Sequence, residues 1–482
     1  MSDVRQLQPK ELWNHFADLN KVPRPSKKEG QVIKFLKNFG EKLNFETIVD
    51  EVGNIIIKKP ATKGKEEKAP VVLQGHMDMV PQKNADVEHD FEKDPIDMYI
   101  EGDWVKAKGT TLGADNGIGV AATMTLLASS DIPHPPLEAL FTVDEETGLT
   151  GAQALKGDVL TGANLLNLDT EDDDEITIGC AGGVDVTGEG EYVLEEISAD
   201  HTGYKINVSG LSGGHSGIQI SLGRGNSNKI MNRLLFGGSY KCDLKIVSIN
   251  GGSLRNAIPR ESIAEILIPS QHTKDFENFI NEEGATIKSE FKTTDPELEI
   301  TFEKASVSTK AVEKDFQDRF INAIYACPNG VYRMSPDIDG LIQTSNNLAK
   351  IDVANGKYLI NCLTRSAIDT EKMDFAQSIV SSFGLAGIKI DLTGAYPGWI
   401  PKPESNIVTL LSDTYKDLFN EEVKVSATHG GLECGIIGKN YPDMDMISIG
   451  PNITGPHSPD EKVQISSVQK FWKLLLEVLD RL

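Results

Sequence analysis

The apolar positions near the start of the chain recur at helical spacing. Within residues 12–19 they fall every three or four positions, which predicts an amphipathic helix that ends before Pro23. Ser26 and Glu29 have the spacing of a capping box and predict the start of a second helix, whose apolar residues lie within 32–36. The chain therefore opens with two helices that each bury one face.

Short, continuous apolar runs then alternate with segments of helical spacing. The runs have the length and composition of buried strands, and they comprise residues 54–57, 71–73, 137–143 and 165–168. The clearest helix between them spans residues 117–129. Strands and helices in alternation predict an α/β layer with a mainly parallel sheet and helices on both faces.

The pattern changes near Gly182 and returns near Gly398. Between these two glycines, two similar blocks each combine strand-like segments with a helix. After the second glycine, a helix, a strand and a final helix resume the earlier alternation. We predict a first domain made of residues 1–186 and 396–482, interrupted by an inserted α+β domain, residues 187–395, with two similar halves.

The composition excludes several classes of partner. The 482 residues include 72 Asp and Glu against 48 Lys and Arg, a formal net charge of −24. Nucleic acid and anionic membranes are therefore not expected as partners, since both attract clustered basic residues. The five cysteines are widely spaced without a CxxC pattern, which argues against a disulfide framework and a Cys-rich zinc site. The polar start of the chain and the absence of a long apolar run predict a cytoplasmic protein.

Histidines and carboxylates follow the predicted strands at their carboxyl ends. Each of them alone has an ordinary explanation as a polar loop residue. Open α/β sheets, however, place their functional sites along this edge. The set comprises His76, Asp78, Asp144, Glu145, Glu146, Asp169 and His457.

These side chains together favour a metal site. Imidazoles with carboxylates suit a divalent first-row ion, and Asp78 is placed to hold the second ring nitrogen of His76. Asp115, in a glycine-rich segment ahead of a helix, is either a helix cap or a ligand that bridges two ions. One of Glu145 and Glu146 can bind metal while its neighbour acts as general base, and the residues alone do not decide which.

Five segments carry a resemblance to a known family. They occur in that family's order as QGHMDM (74–79), GADNG (113–117), DEETG (144–148), LDT (168–170) and GPHSP (455–459). The segments PRPS (23–26) and GGLECG (430–435) extend the match over essentially the whole chain. The sequence resembles the M20 family of metallopeptidases, and within it the aminoacyl-histidine dipeptidase branch.

The resemblance implies roles for the metal-site residues and a fold of the di-metal exopeptidase type with a lid domain. One metal is held by His76, Asp115 and Asp169. The other is held by Asp115, Glu146 and His457. Glu145 is then the base, and Asp78 orients His76. The resemblance also brings the loop that contains His429 and Glu433 to the active site, and neither residue is given a metal role.

The inserted domain carries three further candidate residues. Its glycine-rich segment 210–217 contains a G-x-S-x-G match centred on Ser212, but a turn between strand and helix is favoured in so glycine-rich a stretch. The resemblance implies that His215 helps to stabilise the oxyanion. Asn256 and Arg365 resemble the family's substrate-binding positions, and a guanidinium suits a substrate carboxylate.

The resemblance implies a dipeptidase that hydrolyses unblocked dipeptides, including Xaa-His, through a metal-bound hydroxide. The expected cofactors are two divalent ions per chain, zinc foremost with cobalt or manganese as alternatives, and the expected partner is a small peptide. Three alternatives stay open: an M20-type deacylase, aminoacylase or carboxypeptidase acting on N-acyl amino acids, a non-catalytic metal-binding protein, and a serine hydrolase. The sequence leaves open a homodimer and whether His215 serves its own or a partner's site.

Overall fold

The computed structural model describes residues 4–482, which fall into two compact units. The first comprises the chain up to Gly179 with Trp399–Ala427 and Leu432–Leu482, and the second comprises Cys180–Gly398 and Thr428–Gly431. The sequence put the first boundary after residue 186, which lies within a strand of the second unit. It did not anticipate that the short segment 428–431 joins that unit.

The described residues contain twelve α-helices and three short 3₁₀ helices. The α-helices are α1 (Lys10–Leu19), α2 (Gly30–Lys42), α3 (Ala114–Ala128), α4 (Glu145–Gly148), α5 (Thr150–Ala154), α6 (Ser227–Cys242), α7 (Thr273–Glu290), α8 (Lys314–Ala326), α9 (Asp369–Leu385), α10 (Asn406–Phe419), α11 (Glu433–Asn440) and α12 (Ile465–Arg481). The 3₁₀ helices are Val4–Gln6, Ile220–Leu222 and Ser270–His272.

Twenty-five strands lie within residues 4–482. They are β1 (Glu46–Val49), β2 (Ile55–Lys59), β3 (Val71–His76), β4 (Met98–Glu101), β5 (Trp104–Ala107), β6 (Leu137–Thr142), β7 (Asn164–Asn167), β8 (Glu175–Cys180), β9 (Gly182–Glu191), β10 (Leu194–Glu196), β11 (His201–Ser209), β12 (Gly214–His215), β13 (Lys245–Gly251), β14 (Ala257–Ile258), β15 (Ser262–Pro269), β16 (Glu299–Lys304), β17 (Lys310–Val312), β18 (Gly330–Met334), β19 (Ile342–Ala354), β20 (Lys357–Ser366), β21 (Asp391–Tyr396), β22 (Lys424–Thr428), β23 (Asp445–Ser448), β24 (Ile453–Thr454) and β25 (Lys462–Gln464).

The first unit is built on an eight-stranded sheet in the order β1-β2-β6-β3-β7-β23-β8-β22. Its central strands β6, β3, β7 and β23 pair in parallel. The neighbouring pairs β1-β2, β2-β6 and β23-β8 are antiparallel. Every residue of β3 and β6 is buried, as expected for strands covered on both faces. The parallel centre brings the carboxyl ends of four strands to one edge.

The second unit is built on an antiparallel sheet in the order β16-β11-β15-β13-β19-β20-β9-β21, with β18 also pairing with β19. One half of it runs β11-α6-β13-β15-α7-β16 along the chain, and the other runs β9-α8-β19-β20-α9-β21. Both halves therefore have the order β-α-β-β-α-β. The two similar blocks predicted from the sequence do not include β9. This strand comes before the first half in the chain, but in the sheet it belongs to the second half.

The helices of the second unit pack on its sheet through a continuous apolar core. Buried side chains from α6, α7, α8 and α9 join those of the strands in a single cluster. Among residues 4–482, every helix is too short or too polar to cross a membrane.

Candidate metal centre

Six side chains of the first unit converge at the carboxyl edge of its parallel strands. Their ligand atoms form three groups, in each of which all atoms lie within 4.8 Å of one another. The groups are His76 with Asp115 and Asp169, Asp115 with Glu146 and His457, and His76 with Glu145 and Glu146. The first two are the same two sets of three that the resemblance implied.

Asp115 lies between the two histidines. Its Oδ1 atom is 3.0 Å from Nε2 of His76, and its Oδ2 atom is 3.2 Å from Nε2 of His457. His76 Nε2 is also 3.5 Å from Oδ1 of Asp169, and His457 Nε2 is 2.9 Å from Oε2 of Glu146. Each oxygen of Asp115 thus faces a different set of ligands, which is the geometry of a bridging carboxylate.

The strand order explains why these residues meet. β3 ends at His76, and Asp169 follows the neighbouring strand β7 almost directly. Glu145 and Glu146 open the one-turn helix α4 just after β6, on the other side of β3. His457 lies further along the chain, in the loop between β24 and β25, where its backbone adopts a left-handed φ of 59°. Parallel pairing places all these strand ends on one side of the sheet.

Asp78 connects the histidine to the two glutamates. Its Oδ1 atom lies 3.3 Å from Nδ1 of His76, on the ring side opposite Nε2, the nitrogen that faces Asp115. The same carboxylate accepts hydrogen bonds from the backbone N–H of Glu145 at 3.1 Å and of Glu146 at 3.4 Å. Asp78 is fully buried. One side chain therefore orients an imidazole and holds the start of α4, an arrangement common behind metal ligands.

The electrostatics of the cluster fit a cation. Burial, reinforced by Asp115 and Glu146, raises the pKa of Asp169 to about 6 despite the opposing influence of His76. Hydrogen bonds to Asp115 and Glu146 raise the pKa of His457 to about 11. Burial would raise the pKa of Asp115, but hydrogen bonds from the two imidazoles lower it below its ordinary value. Protons on the imidazoles offset the crowded carboxylates, a role that a divalent ion takes over when bound.

Glu145 and the adjacent Glu146 have different surroundings. Burial raises the pKa of Glu145 well above the ordinary value, with further increases from Asp169 and Glu146. Glu146 approaches His457, whereas Glu145 appears only in the set with His76. Within the described residues, two buried oxygens of the centre form no hydrogen bond: Oε1 of Glu146, and Oδ1 of Asp169, which lies only at ion-pair distance from His76. Unpaired carboxylate oxygens at a buried site are the expected ligands of a hard or borderline divalent ion, so the residues fit a metal pair.

The sequence did not predict a row of buried, hydrogen-bonded polar side chains formed by Asn167, Gln74, Glu433 and Thr142. Asn167 donates to Gln74 at 2.5 Å, and Gln74 donates to Glu433 at 2.6 Å. Thr142 donates to the same oxygen of Glu433 at 2.6 Å. Burial raises the pKa of Glu433 to about 7. Polar residues inside apolar strands were the only sequence signal for this row, because polar side chains in fully buried strands need partners.

The three candidate residues of the second unit are His215, Asn256 and Arg365, and each is held by contacts within that unit. His215, in β12, is paired with Ala257 in β14, and Ser216 N–H donates to the carbonyl of Asn256 at 2.8 Å. Arg365 is only 4% exposed and donates to the hydroxyl of Tyr396 at 3.0 Å. The segments of His215 and Asn256 are thus held side by side.

The histidine at position 429, given no metal role from the sequence, is also part of the second unit. Its Nε2 atom lies 2.7 Å from the hydroxyl of Ser345, the residue opposite Arg365 across β19 and β20. Burial, together with the charge of Arg365, lowers the pKa of His429 to about 3. The imidazole is therefore neutral at physiological pH.

The serine-hydrolase pattern has no supporting geometry. The hydroxyl of Ser212 is exposed and donates to the backbone carbonyl of Thr294 at 2.9 Å, rather than to a histidine. Its backbone N–H donates to Asp295 at 2.8 Å. The segment is the glycine-rich turn that the residues favoured.

Comparison with known proteins supplies the family. A family model described as peptidase family M20/M25/M40 matches residues 72–481. The chain belongs to peptidase family M20. The cytosol non-specific dipeptidase of Escherichia coli strain K12 is 44% identical over 480 residues, which cover 99% of each chain.

Solved structures agree with the M20 assignment. The crystal structure of aminoacylhistidine dipeptidase from Vibrio alginolyticus matches with a TM-score of 0.91 at 42% identity, covering 100% of this chain and 99% of the other. The aminopeptidase PepT of Bacillus cereus ATCC 10987 has a TM-score of 0.57 at 16% identity over 98% of both chains, and shares the fold. The family, the α/β fold class with a second domain and the assignment to the peptide-bond hydrolases are therefore confirmed.

Proposed function

We propose that this M20 chain is a metal-dependent dipeptidase that cleaves unblocked dipeptides, Xaa-His among them. The observation that carries the proposal is the pair of three-residue ligand sets sharing Asp115, with Glu145 beside them as a separate carboxylate. Two full-length relatives, at 44% and 42% identity, carry the names of dipeptidases. Zinc is the proposed metal and the cytoplasm the proposed location.

The residues divide the catalytic work among themselves. His76, Asp115 and Asp169 would hold one cation, and Asp115, Glu146 and His457 the other. When bound, two such cations supply Lewis-acid activation of a water molecule and of the peptide carbonyl. Glu145 takes a proton from the attacking water and passes it to the leaving amine. Asp78 keeps His76 in the tautomer whose Nε2 faces the metal.

The second unit supplies substrate contacts in this proposal. Arg365, buried and oriented by Tyr396, is assigned to the substrate carboxylate, which a planar guanidinium can bind with two hydrogen bonds. Asn256 is assigned to the peptide backbone, and His215 to the oxyanion.

The test is a matched substrate panel on metal-reconstituted protein. Dipeptides such as Ala-His and Ala-Leu, which differ in the second residue, are compared with their N-acetylated forms, in which only the free ammonium is lost. N-acetyl-histidine, in which an acetyl group replaces the alanyl residue, completes the panel. We expect hydrolysis of the free dipeptides and its loss after metal removal by a chelator. Cleavage confined to the N-acyl amino acid would replace the proposal with an acylase, and full activity in chelator would refute metal dependence.

A further inference from the structure

Glu461 is a buried carboxylate outside both ligand sets. It lies four residues after His457 and is 2% exposed. Its Oε2 atom accepts hydrogen bonds from the backbone N–H of Leu112 at 2.7 Å and Gly113 at 2.9 Å. Its Oε1 atom accepts from the N–H of Ala114 at 2.7 Å and Asp115 at 3.2 Å. One side chain therefore satisfies four consecutive amides.

These amides belong to the irregular turn that leads into α3, where Gly113 is left-handed and the backbone of Asp115 and Asn116 is non-helical. The first N–H groups of a helix have no acceptor within the helix and normally bind a capping side chain or water. Asp115 was a candidate cap from the sequence, but its carboxylate faces His76 and His457 instead. Glu461 supplies the cap from a distant part of the chain, and this leaves both oxygens of Asp115 available as ligands.

Arg24 holds the same turn from another side. It is 2% exposed, and its Nη2 atom donates to the carbonyl of Gly113 at 2.6 Å. Its Nη1 atom donates to the carbonyl of Asp78 at 3.2 Å. The backbone that leads into Asp115 is therefore bound through its amides by a carboxylate and through a carbonyl by a guanidinium.

We infer that Glu461 is a positioning residue that sets the spacing of Asp115 and His457 in the proposed metal centre. The inference rests on that proposed centre. Glu461 is on the same short segment as His457, and its backbone N–H donates to Ser458 at 3.1 Å. By binding the amides of 112–115, its carboxylate fixes the bridging ligand relative to a ligand of the second cation. It acts through these backbones and does not touch the metals.

Glu138 offers a matched control in the same unit. It is a 3% exposed carboxylate that accepts from the backbone N–H of Thr161 at 2.8 Å and of Gly162 at 3.0 Å. It lies at the amino end of β6, whereas the metal centre lies at the carboxyl ends of the strands. Glu138 thus shares the burial of Glu461 and binds two backbone amides, with Lys58 as an ion-pair partner at 3.3 Å, but it has no connection to the ligands.

The experiment compares Glu461→Gln with Glu138→Gln in two measurements. Gln replaces one acceptor oxygen by an NH₂ group, so at least one pair of amides loses its acceptor. In metal-free protein, hydrogen exchange of amides 112–115 is expected to accelerate only in Glu461→Gln. In zinc titrations against a competing chelator, Glu461→Gln is expected to bind about 10- to 100-fold more weakly, and Glu138→Gln like the wild type.

A milder variant guards against a folding defect. Glu461→Asp keeps both oxygens but withdraws them by one methylene, and we expect a smaller loss of zinc affinity than in Glu461→Gln. Wild-type zinc affinity in both Glu461 variants would overturn the inference alone. Failure of the wild-type protein to bind two metals would instead overturn the proposed function.

Discussion

At the residue scale, the adjacent pair Glu145 and Glu146 shows how position separates two identical side chains. Both belong to the same turn of helix and both donate backbone N–H groups to Asp78. Glu146 reaches His457 at 2.9 Å, and Glu145 does not join that ligand set. Successive side chains diverge from the backbone, so one can bind metal while the other meets the substrate water.

The different roles proposed for Glu145 and for the ligand His457 predict different effects of replacing them. Glu145→Gln is expected to keep two bound metals while kcat falls by about 10²- to 10⁴-fold, because the proton acceptor is lost and no ligand is removed. His457→Ala is expected to retain only one metal per chain. Metal content by mass spectrometry and kcat by steady-state kinetics check both results.

A half-buried histidine provides the control for this comparison. His272 belongs to none of the ligand groups found in residues 4–482. His272→Ala should keep both metals and full turnover. Two metals in His457→Ala, or full turnover in Glu145→Gln, would contradict the assigned roles.

At the scale of secondary-structure elements, the residues that cap the helices differ from those that the sequence patterns favour. The capping box at Ser26 and Glu29 is wrong: α2 begins at Gly30, and Ser26 donates to the carbonyl of Met79 at 3.3 Å. Glu29 accepts from the N–H of Lys27 instead. At α2 the hydroxyl expected to cap the helix donates to a carbonyl remote in sequence. Before α3 a carboxylate remote in sequence accepts from the backbone amides. In both places tertiary contacts compete with local capping.

The turn before α3 predicts an unusually costly glycine substitution. Gly113 has a φ of 68°, and an added Cβ would lie 2.4 Å from Nη2 of Arg24, which is itself held by other hydrogen bonds. Gly113→Ala should therefore lower the free energy of unfolding by more than the ~1–2 kcal/mol that a left-handed conformation costs an L-residue. Chemical denaturation of the metal-free protein measures the change.

Gly102 is the matched control for that substitution. It has a similar φ of 61°, and an added Cβ would meet no atom within 4 Å. Gly102→Ala should cost only the conformational contribution. Equal losses in the two variants would show that packing against Arg24 contributes nothing.

At the scale of the whole molecule, the chain contains two units with separate hydrophobic cores. The apolar cluster around β2, β6 and α3 belongs to the first unit, and a larger cluster around α6 to α9 belongs to the second. The ligand sets lie in the first unit, although its segments come from both ends of the chain. Metal binding should therefore stabilise the first unit and leave the core of the second largely unaffected.

This arrangement predicts a metal-linked and pH-dependent unfolding transition. Zinc at 100 times its Kd should stabilise the first unit by about 2.7 kcal/mol for each site. His457, whose pKa is raised to about 11, and His76, whose pKa is also raised, hold protons in the metal-free state that zinc must displace. Affinity should thus fall as the pH falls, by about tenfold per pH unit for each proton displaced.

Calorimetry and hydrogen exchange read out this transition. Thermal scans with and without chelator, at pH 8 and pH 6, should shift one transition by an amount that grows with the logarithm of the metal affinity. Hydrogen exchange should assign that transition to peptides of the first unit. A chelator effect confined to the second unit, or an affinity that rises towards acid, would contradict the prediction.

The sequence by itself determined the family and the fold class of this protein. Apolar periodicity revealed the α/β alternation, and the family motifs, each only a few residues long, predicted His76, Asp115, Asp169 and their neighbours as the site residues. Such motifs are local, so they can be read without knowing how the chain folds. The same locality explains the failures at the helix starts and at the first domain boundary, where β9 pairs with strands far along the chain.

Only the tertiary structure decided which residues form hydrogen bonds to the candidate site residues and to the polar side chains near them. Glu461 lies 346 residues from Asp115, and Glu433 lies 359 residues from Gln74, yet each pair is hydrogen-bonded. Spacing in the chain carries no signal over such separations. The partners of a buried carboxylate are set by which strands become neighbours in the sheet and by the requirement that every buried polar group finds one.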